Sequence, residues 1–152
     1  MPIYGSNPIT VNAGSGNDEI SNTAQYSSIM GGSENDFIFS ADTANYSTIN
    51  GGTGNDTIYL EGNNNVIQYA EGDGNDVIYN WSDSDYKIQI SGSYSTMNSD
   101  DDIVIKIGSG KMTLKYAKGN VLNINTSKNY VERFWFETDD SFTNEEITAI
   151  TQ

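Results

Sequence analysis

Residues 51–58 read GGTGNDTI, and three further segments of the chain align with this stretch without gaps. They are residues 13–20 (AGSGNDEI), 31–38 (GGSENDFI) and 71–78 (EGDGNDVI). The Asp of the four copies stands at positions 18, 36, 56 and 76, which gives steps of 18, 20 and 20 residues. Self-similarity at a fixed period is typical of proteins built from stacked repeats.

Two apolar positions recur with the same steps as the Asp. One is the Ile two residues after each Asp, and the other lies seven residues before it, at Val11, Ile29, Ile49 and Tyr69. A pair of helices needs more than about 30 residues, whereas two short strands and two turns need fewer. The period therefore predicts a flattened parallel coil whose rungs stack at the strand spacing of about 4.8 Å.

In such a coil the repeated Asp residues form a column along one edge. Two carboxylates about 5 Å apart repel by about 0.8 kcal/mol in water and by about 3 kcal/mol at an effective dielectric constant of 20. A column of four therefore opposes stacking unless a cation neutralises it. Carboxylate and turn carbonyl oxygens suit Ca²⁺, which takes six to eight oxygen ligands, better than Mg²⁺, which demands strict octahedral geometry. Glycine fits this interpretation because it lets the turn carbonyls converge.

The overall composition narrows the classes of function. The chain has 7 basic and 21 acidic residues, a net charge of −14, which argues against binding to nucleic acid. It has no His and no Cys, so no ordinary Ser-His or Cys-His nucleophile can form, and we do not expect an enzyme. Since no apolar run approaches about 18 residues, we expect no membrane span.

The repeat resembles the nonapeptide G-G-x-G-x-D-x-U-x, with U a large apolar residue, of the repeats-in-toxin (RTX, haemolysin-type) family. Residues 51–59 (GGTGNDTIY) match it at every position, and the other copies depart at one position each. The departures are Ala13, Glu34 and Glu71. Glu34 stands where the backbone needs a positive φ, so we expect strain there.

The resemblance implies a right-handed parallel β-roll in which Ca²⁺ lies between stacked turns. The first six residues of each copy would form the turn and the last three the strand. The carboxylate ligands would be Asp18, Asp36, Asp56 and Asp76, which enclose about three complete sites, with Asp73 as a further carboxylate at the last one. Carbonyls of the glycine-rich positions would complete the sites: Gly14, Gly16, Gly31, Gly32, Ser33, Gly51, Gly52, Thr53, Gly54, Gly72 and Gly74. The opposite turns lack the motif, so calcium is expected along one edge only.

The second half of the chain has a different character. All seven basic residues follow position 80, so we predict one region over residues 1–80 and another over 81–152. Alternating apolar residues predict an antiparallel β element after the roll, with a hairpin turn at residues 108–111. Trp81 and Trp135 are candidates for contact with the roll. A capping box, Thr143 with Glu146, predicts a short C-terminal helix.

The expected function is a calcium-dependent folding module of a secreted bacterial protein. The resemblance implies export by type I secretion, with folding on extracellular Ca²⁺. Two alternatives stay open. One is a calcium-stabilised adhesion module that binds a glycan or a cell surface, and the other is the C-terminal fragment of a larger secreted enzyme or toxin.

Overall fold

The computed structural model describes residues 2–3, 8–80, 86–92, 94–99, 102–115, 120–125 and 130–135. Regular secondary structure in these segments consists of strands only, and none of them forms a helix that could cross a membrane. The strands are Pro2–Ile3 (β1), Thr10–Ser15 (β2), Glu19–Asn22 (β3), Ser28–Ser33 (β4), Phe37–Ser40 (β5), Thr48–Thr53 (β6), Thr57–Leu60 (β7), Asn65–Ala70 (β8), Asn75–Asn80 (β9), Tyr86–Ser91 (β10), Tyr94–Ser99 (β11), Asp102–Ile107 (β12), Gly110–Lys115 (β13), Asn120–Asn125 (β14) and Tyr130–Trp135 (β15).

The strands form two sheets, and successive strands of the repeat region alternate between them. Sheet A has the order β1-β3-β5-β7-β9-β13-β12-β11, and sheet B has the order β14-β15-β10-β8-β6-β4-β2. From β2 to β9 all pairing within each sheet is parallel. The predicted parallel coil of about four rungs is confirmed, and its right-handed sense stays a prediction.

Two facing ladders of apolar side chains fill the interior between the sheets. Sheet A contributes the Ile that follows each Asp by two residues, continued by Leu114 of β13. Sheet B contributes Val11, Ile29, Ile49, Ile67 and Ile88, which pair in that order. These side chains are at most 8% exposed, and most are fully buried. A β-branched residue suits this position because its stiff side chain packs well on a pleated surface.

The structure corrects one member of the predicted ladder. Ile49 pairs with Ile67, not with Tyr69. Tyr69 is also buried, because it lies two residues further along the same face of β8. The fourth of the turns that carry a repeated Asp is therefore two residues longer than the other three.

The edge opposite the Asp column is closed by direct hydrogen bonds. The Ser47 amide donates to Asn65 Oδ1 at 2.8 Å, and the Ser27 amide donates to Ser47 Oγ at 3.1 Å. Asn22 exchanges two hydrogen bonds with the backbone of Ala24, which is fully buried. The two bonds to Ser47 and Asn65 join successive rungs through uncharged side chains.

The strands after residue 80 continue both sheets and then reverse direction. Strand β10 pairs in parallel with β8, and β13 pairs in parallel with β9. Strands β11, β12 and β13 pair antiparallel to one another, as do β10, β15 and β14. The predicted antiparallel element and the hairpin between β12 and β13 are confirmed.

Several predictions fall outside what the structure describes. The helix expected after Thr143, the side chain of Trp135 and all of Trp81 lie outside the described residues. The division into regions 1–80 and 81–152 stays a prediction.

Gly52 and Gly72 occupy equivalent motif positions and have similar backbone conformations, with φ of +103° and +100°. A Cβ at Gly52 would overlap the carbonyl oxygen of Gly32, whereas a Cβ at Gly72 would meet nothing within 4 Å. We therefore expect Gly72→Ala to cost only the left-handed strain, about 1–2 kcal/mol, and Gly52→Ala to cost clearly more. Thermal unfolding of both variants in one buffer measures the difference. Equal losses would show that turn contact at Gly52 does not limit stacking.

Candidate metal centre

The four repeated Asp residues stack in register at one edge of the roll. The backbone amide of each Asp donates to Oδ1 of the next Asp along the chain. The nitrogen–oxygen distances are 2.8 Å from Asp18 to Asp36, 2.8 Å from Asp36 to Asp56 and 3.0 Å from Asp56 to Asp76. One oxygen of three carboxylates is thereby fixed between two turns.

A second ladder runs beside the first in the opposite direction. The Asn35 amide donates to Asn17 Oδ1 at 2.9 Å, and the Asn55 amide donates to Asn35 Oδ1 at 2.8 Å. The Asn75 amide donates to Asn55 Oδ1 at 3.0 Å. The repeat motif predicts no role for these Asn residues, although Asn precedes Asp in all four copies. Together the two ladders satisfy consecutive backbone amides from opposite sides.

Oδ2 of three of the four repeated Asp residues has no hydrogen-bond partner. Asp36, Asp56 and Asp76 are 3%, 1% and 2% exposed, and Asp18 is partly buried. Oδ2 of Asp18, Asp36 and Asp56 is buried without a hydrogen bond. A buried, unpaired carboxylate oxygen is costly, and such groups in proteins pair with a cation or take up a proton instead.

Other unpartnered buried oxygens in the described residues do not share this arrangement. They are Ser40 Oγ and Asn50 Oδ1, which are single positions and form no column. The opposite edge, by contrast, satisfies Asn22, Ser47 and Asn65 directly. The demand for a positive partner therefore repeats from rung to rung only along the Asp edge.

Gly31 provides space where oxygens of two turns meet. A Cβ at Gly31 would collide with Oδ2 of Asp36, in the same turn, and with the carbonyl oxygen of Gly51, in the next turn. An unpartnered carboxylate oxygen and a carbonyl oxygen thus converge in a space that any side chain would fill. This donor set fits a hard cation such as Ca²⁺. Side chains alone do not make the site, since no three acidic side chains of the described residues group closely enough to hold a metal.

The glycine-rich positions divide between strand and turn differently from the family scheme. Residues 31–33 and 51–53 form the ends of β4 and β6, so the turn proper begins at Glu34 and Gly54. The predicted carbonyl donors of the first three turns therefore lie partly in paired strands. Gly32 packs on the carbonyl of Gly14, and Gly52 packs on that of Gly32, which brings these turns into close contact.

Glu34 adopts the positive φ that its position demands, at +78°. Its carboxylate accepts a hydrogen bond from the Gly16 amide in the preceding turn. The expected strain is therefore accompanied by a contact between turns that glycine could not make. The cost of a left-handed residue is about 1–2 kcal/mol, comparable to what a hydrogen bond to a charged group contributes.

The fourth turn is placed less regularly. Gly74 packs on the carbonyl of Gly54, but Gly72 contacts no other turn. Asp73, predicted as an additional ligand, accepts a hydrogen bond from the Ala70 amide at 2.8 Å through Oδ2. A Cβ at Gly72 would meet no atom within 4 Å, whereas the Asp73 carbonyl accepts from the Gly54 amide of the third turn at 2.7 Å.

Neither protein-family models nor curated proteins match this chain. The likeness to repeats-in-toxin proteins thus depends on the four motif copies alone. The geometry of the Asp edge has to be judged by its own chemistry.

Burial raises the pKa of Asp56 to about 6 and that of Asp76 to about 8. These pKa values include an opposing contribution from the backbone hydrogen bond to each carboxylate and a smaller upward contribution from neighbouring carboxylates. The pKa of Asp36 is raised for the same reasons. Without a cation, the stacked turns therefore hold protons that the unfolded chain, with Asp pKa values near 3.9, releases.

This difference sets the pH dependence of the metal-free chain. The stability that the bound protons confer is complete below about pH 4 and is lost as the pH rises through about 6 for Asp56 and about 8 for Asp76. We expect the thermal midpoint of metal-free protein to fall as the pH rises from about 5 towards about 8.5, until no folded fraction remains to melt. Scanning fluorimetry over this range measures it, with Asp76→Asn as the variant that should flatten the upper part. A midpoint that rises with pH would contradict the assignment.

Proposed function

We propose that this chain is a calcium-binding β-roll whose repeat region folds when Ca²⁺ enters the Asp edge. The observation that carries the proposal is the column of unpartnered Oδ2 atoms of Asp18, Asp36 and Asp56. At Gly31 one of these atoms meets a carbonyl oxygen of the next turn. A divalent cation between turns would neutralise both carboxylates that flank it and bind the carbonyls that face it.

The donor chemistry favours calcium over other common metals. The edge offers carboxylate and carbonyl oxygens, and the chain has no Cys or His, which zinc sites ordinarily use. Ca²⁺ accepts irregular sets of six to eight oxygens, whereas Mg²⁺ requires near-ideal octahedra and retains its waters. A stack of backbone carbonyls and single carboxylate oxygens is irregular, and it suits the larger ion.

Charge links calcium binding to folding. The described repeat region brings its carboxylates together only when the rungs stack, so the unfolded chain has no preformed site. Binding free energy then becomes folding free energy. A chain with a net charge of −14 resists compaction through self-repulsion, and bound Ca²⁺ lowers that repulsion.

The resemblance to repeats-in-toxin proteins extends this proposal to the cell. We propose a secreted bacterial protein whose repeats remain unfolded at low cytosolic calcium and fold in the extracellular medium. Type I secretion would export the unfolded chain. The support is the motif and the column of buried carboxylate oxygens without a hydrogen-bond partner.

The exposed aromatic rings give little support to the alternative of glycan binding. Tyr59 and Tyr79 stack with ring centroids 4.6 Å apart and planes 13° apart. Tyr26 and Tyr46 stack at 5.2 Å and 9°. In each stacked pair one face of each ring is covered, which leaves fewer free faces for a sugar to stack on.

Circular dichroism of the full chain tests the proposal. We expect little β signal in metal-free protein at neutral pH, recovery on addition of CaCl₂, and no recovery at equal concentrations of MgCl₂. Asp56→Asn preserves an acceptor for the Asp36 amide but removes the charge, so the calcium midpoint should rise at least about tenfold, or about 1.4 kcal/mol.

The matched control is Asp42→Asn, which removes an exposed carboxylate away from the Asp edge. Its calcium midpoint should equal that of the natural chain. A roll that is equally ordered without calcium at neutral pH, or two variants that behave alike, would refute calcium-dependent folding.

A further inference from the structure

The fourth turn of the Asp edge differs from the other three by an insertion of two residues. Strand pairing sets Ile67 beside Ile49 and Gly74 beside Gly54. The chain needs five residues to pass from Ile49 to Gly54 but seven to pass from Ile67 to Gly74. Two extra residues therefore lie between Ile67 of β8 and Gly74 of the fourth turn.

The insertion separates the first half of the fourth turn from the third turn. Strands β4 and β6 stay paired as far as Ser33 and Thr53, whereas β6 and β8 part after Asn50 and Gln68. An open cavity of about 420 Å³ lies where they part, lined in part by Asn50, Gln68 and Gln89. Contact between the turns resumes at Gly54, which bridges to Gly74 and whose amide donates to the Asp73 carbonyl at 2.7 Å.

The oxygen atoms around Gly51 differ from those around the equivalent Gly31. The space at Gly31 receives Asp36 Oδ2 and the carbonyl oxygen of Gly51 from the next turn. At Gly51 the three nearest atoms all belong to Asp56, and none comes from the fourth turn. No carbonyl of the fourth turn is therefore among the atoms nearest to a Cβ at Gly51, whereas a third-turn carbonyl is at Gly31.

Hydrogen bonds occupy several oxygens of the fourth turn, among them the Asp73 carbonyl, which accepts from the Gly54 amide at 2.7 Å. The carbonyl oxygen of Gly74 accepts from the Tyr69 hydroxyl at 2.8 Å and from the Lys111 amide at 3.1 Å. A carbonyl has two acceptor sites, so both are used. Asp73 Oδ2 holds the Ala70 amide, and the Asp73 amide donates to the Ala70 carbonyl at 3.2 Å.

Resting on the proposed function, we infer that the Asp edge holds two calcium ions, in the Asp18–Asp36 and Asp36–Asp56 steps, and that the Asp56–Asp76 step is closed by hydrogen bonds without a metal. Asp36 then serves both ions and Asp76 serves neither. Three complete sites, as the motif spacing predicts, would require a fourth turn that stacks along its whole length.

Calcium counting on the full chain tests this inference. Native mass spectrometry and isothermal titration calorimetry at physiological salt should both give two ions per chain. Asp76→Asn, which keeps an acceptor for the Asp56 amide, should leave two ions with dissociation constants within about threefold. Asp36→Asn, the matched change one site away, should remove high-affinity binding of both.

The outcomes separate the two proposals. Three ions of similar affinity, or loss of an ion in Asp76→Asn, would overturn the inference while leaving the calcium function intact. No bound calcium at all would defeat the proposed function itself. Should Asp36→Asn fail to fold, the count for the natural chain and for Asp76→Asn still decides.

Discussion

Parallel stacking places each repeated Asp against the Asp of the neighbouring turn, and this enforced proximity of carboxylates governs the rest of the structure. Each turn contributes one oxygen to a backbone amide of the turn before it, at 2.8–3.0 Å. That bond fixes the register but neutralises nothing. The second oxygen of Asp36 or Asp56 is buried and unpartnered, so the stack is complete only with a proton or a cation beside it.

The two edges of the roll solve the same problem by different chemistry. Both must satisfy turn backbone groups that no strand pairs. The opposite edge uses neutral side chains such as Ser47 and Asn65, and it tolerates a left-handed backbone at Tyr26 and Tyr46. Asn22, Ser47 and Asn65 at that edge find their hydrogen-bond partners within the chain, without an ion. At the Asp edge, by contrast, buried carboxylate oxygens have no partner within the chain, so its stability depends on protons or cations from the solvent.

The parallel coil and the Asp column follow from the sequence because both depend on spacing alone. An Ile two residues after each Asp and a short period leave few alternatives to stacked rungs. The Asn ladder does not follow from the sequence, because a polar residue in a turn is expected to face solvent. The structure shows instead that Asn55 Oδ1 accepts a hydrogen bond from the Asn75 amide. The longer fourth turn was missed for another reason. Ile67 and Tyr69 lie on the same face of β8, and a shift by two residues preserves the alternation that identifies a strand.

The two 20-residue steps of the repeat are consequently not equivalent. Between Asp36 and Asp56 the two residues beyond 18 lie at the opposite edge, where Ile38 and Ile49 are eleven residues apart instead of the nine between Ile20 and Ile29. Between Asp56 and Asp76 they lie at the Asp edge. An insertion at the opposite edge lengthens a loop whose hydrogen bonds can re-form locally. An insertion at the Asp edge ends the pairing of β6 with β8 at Asn50 and Gln68, so the same two residues change how the third and fourth turns meet.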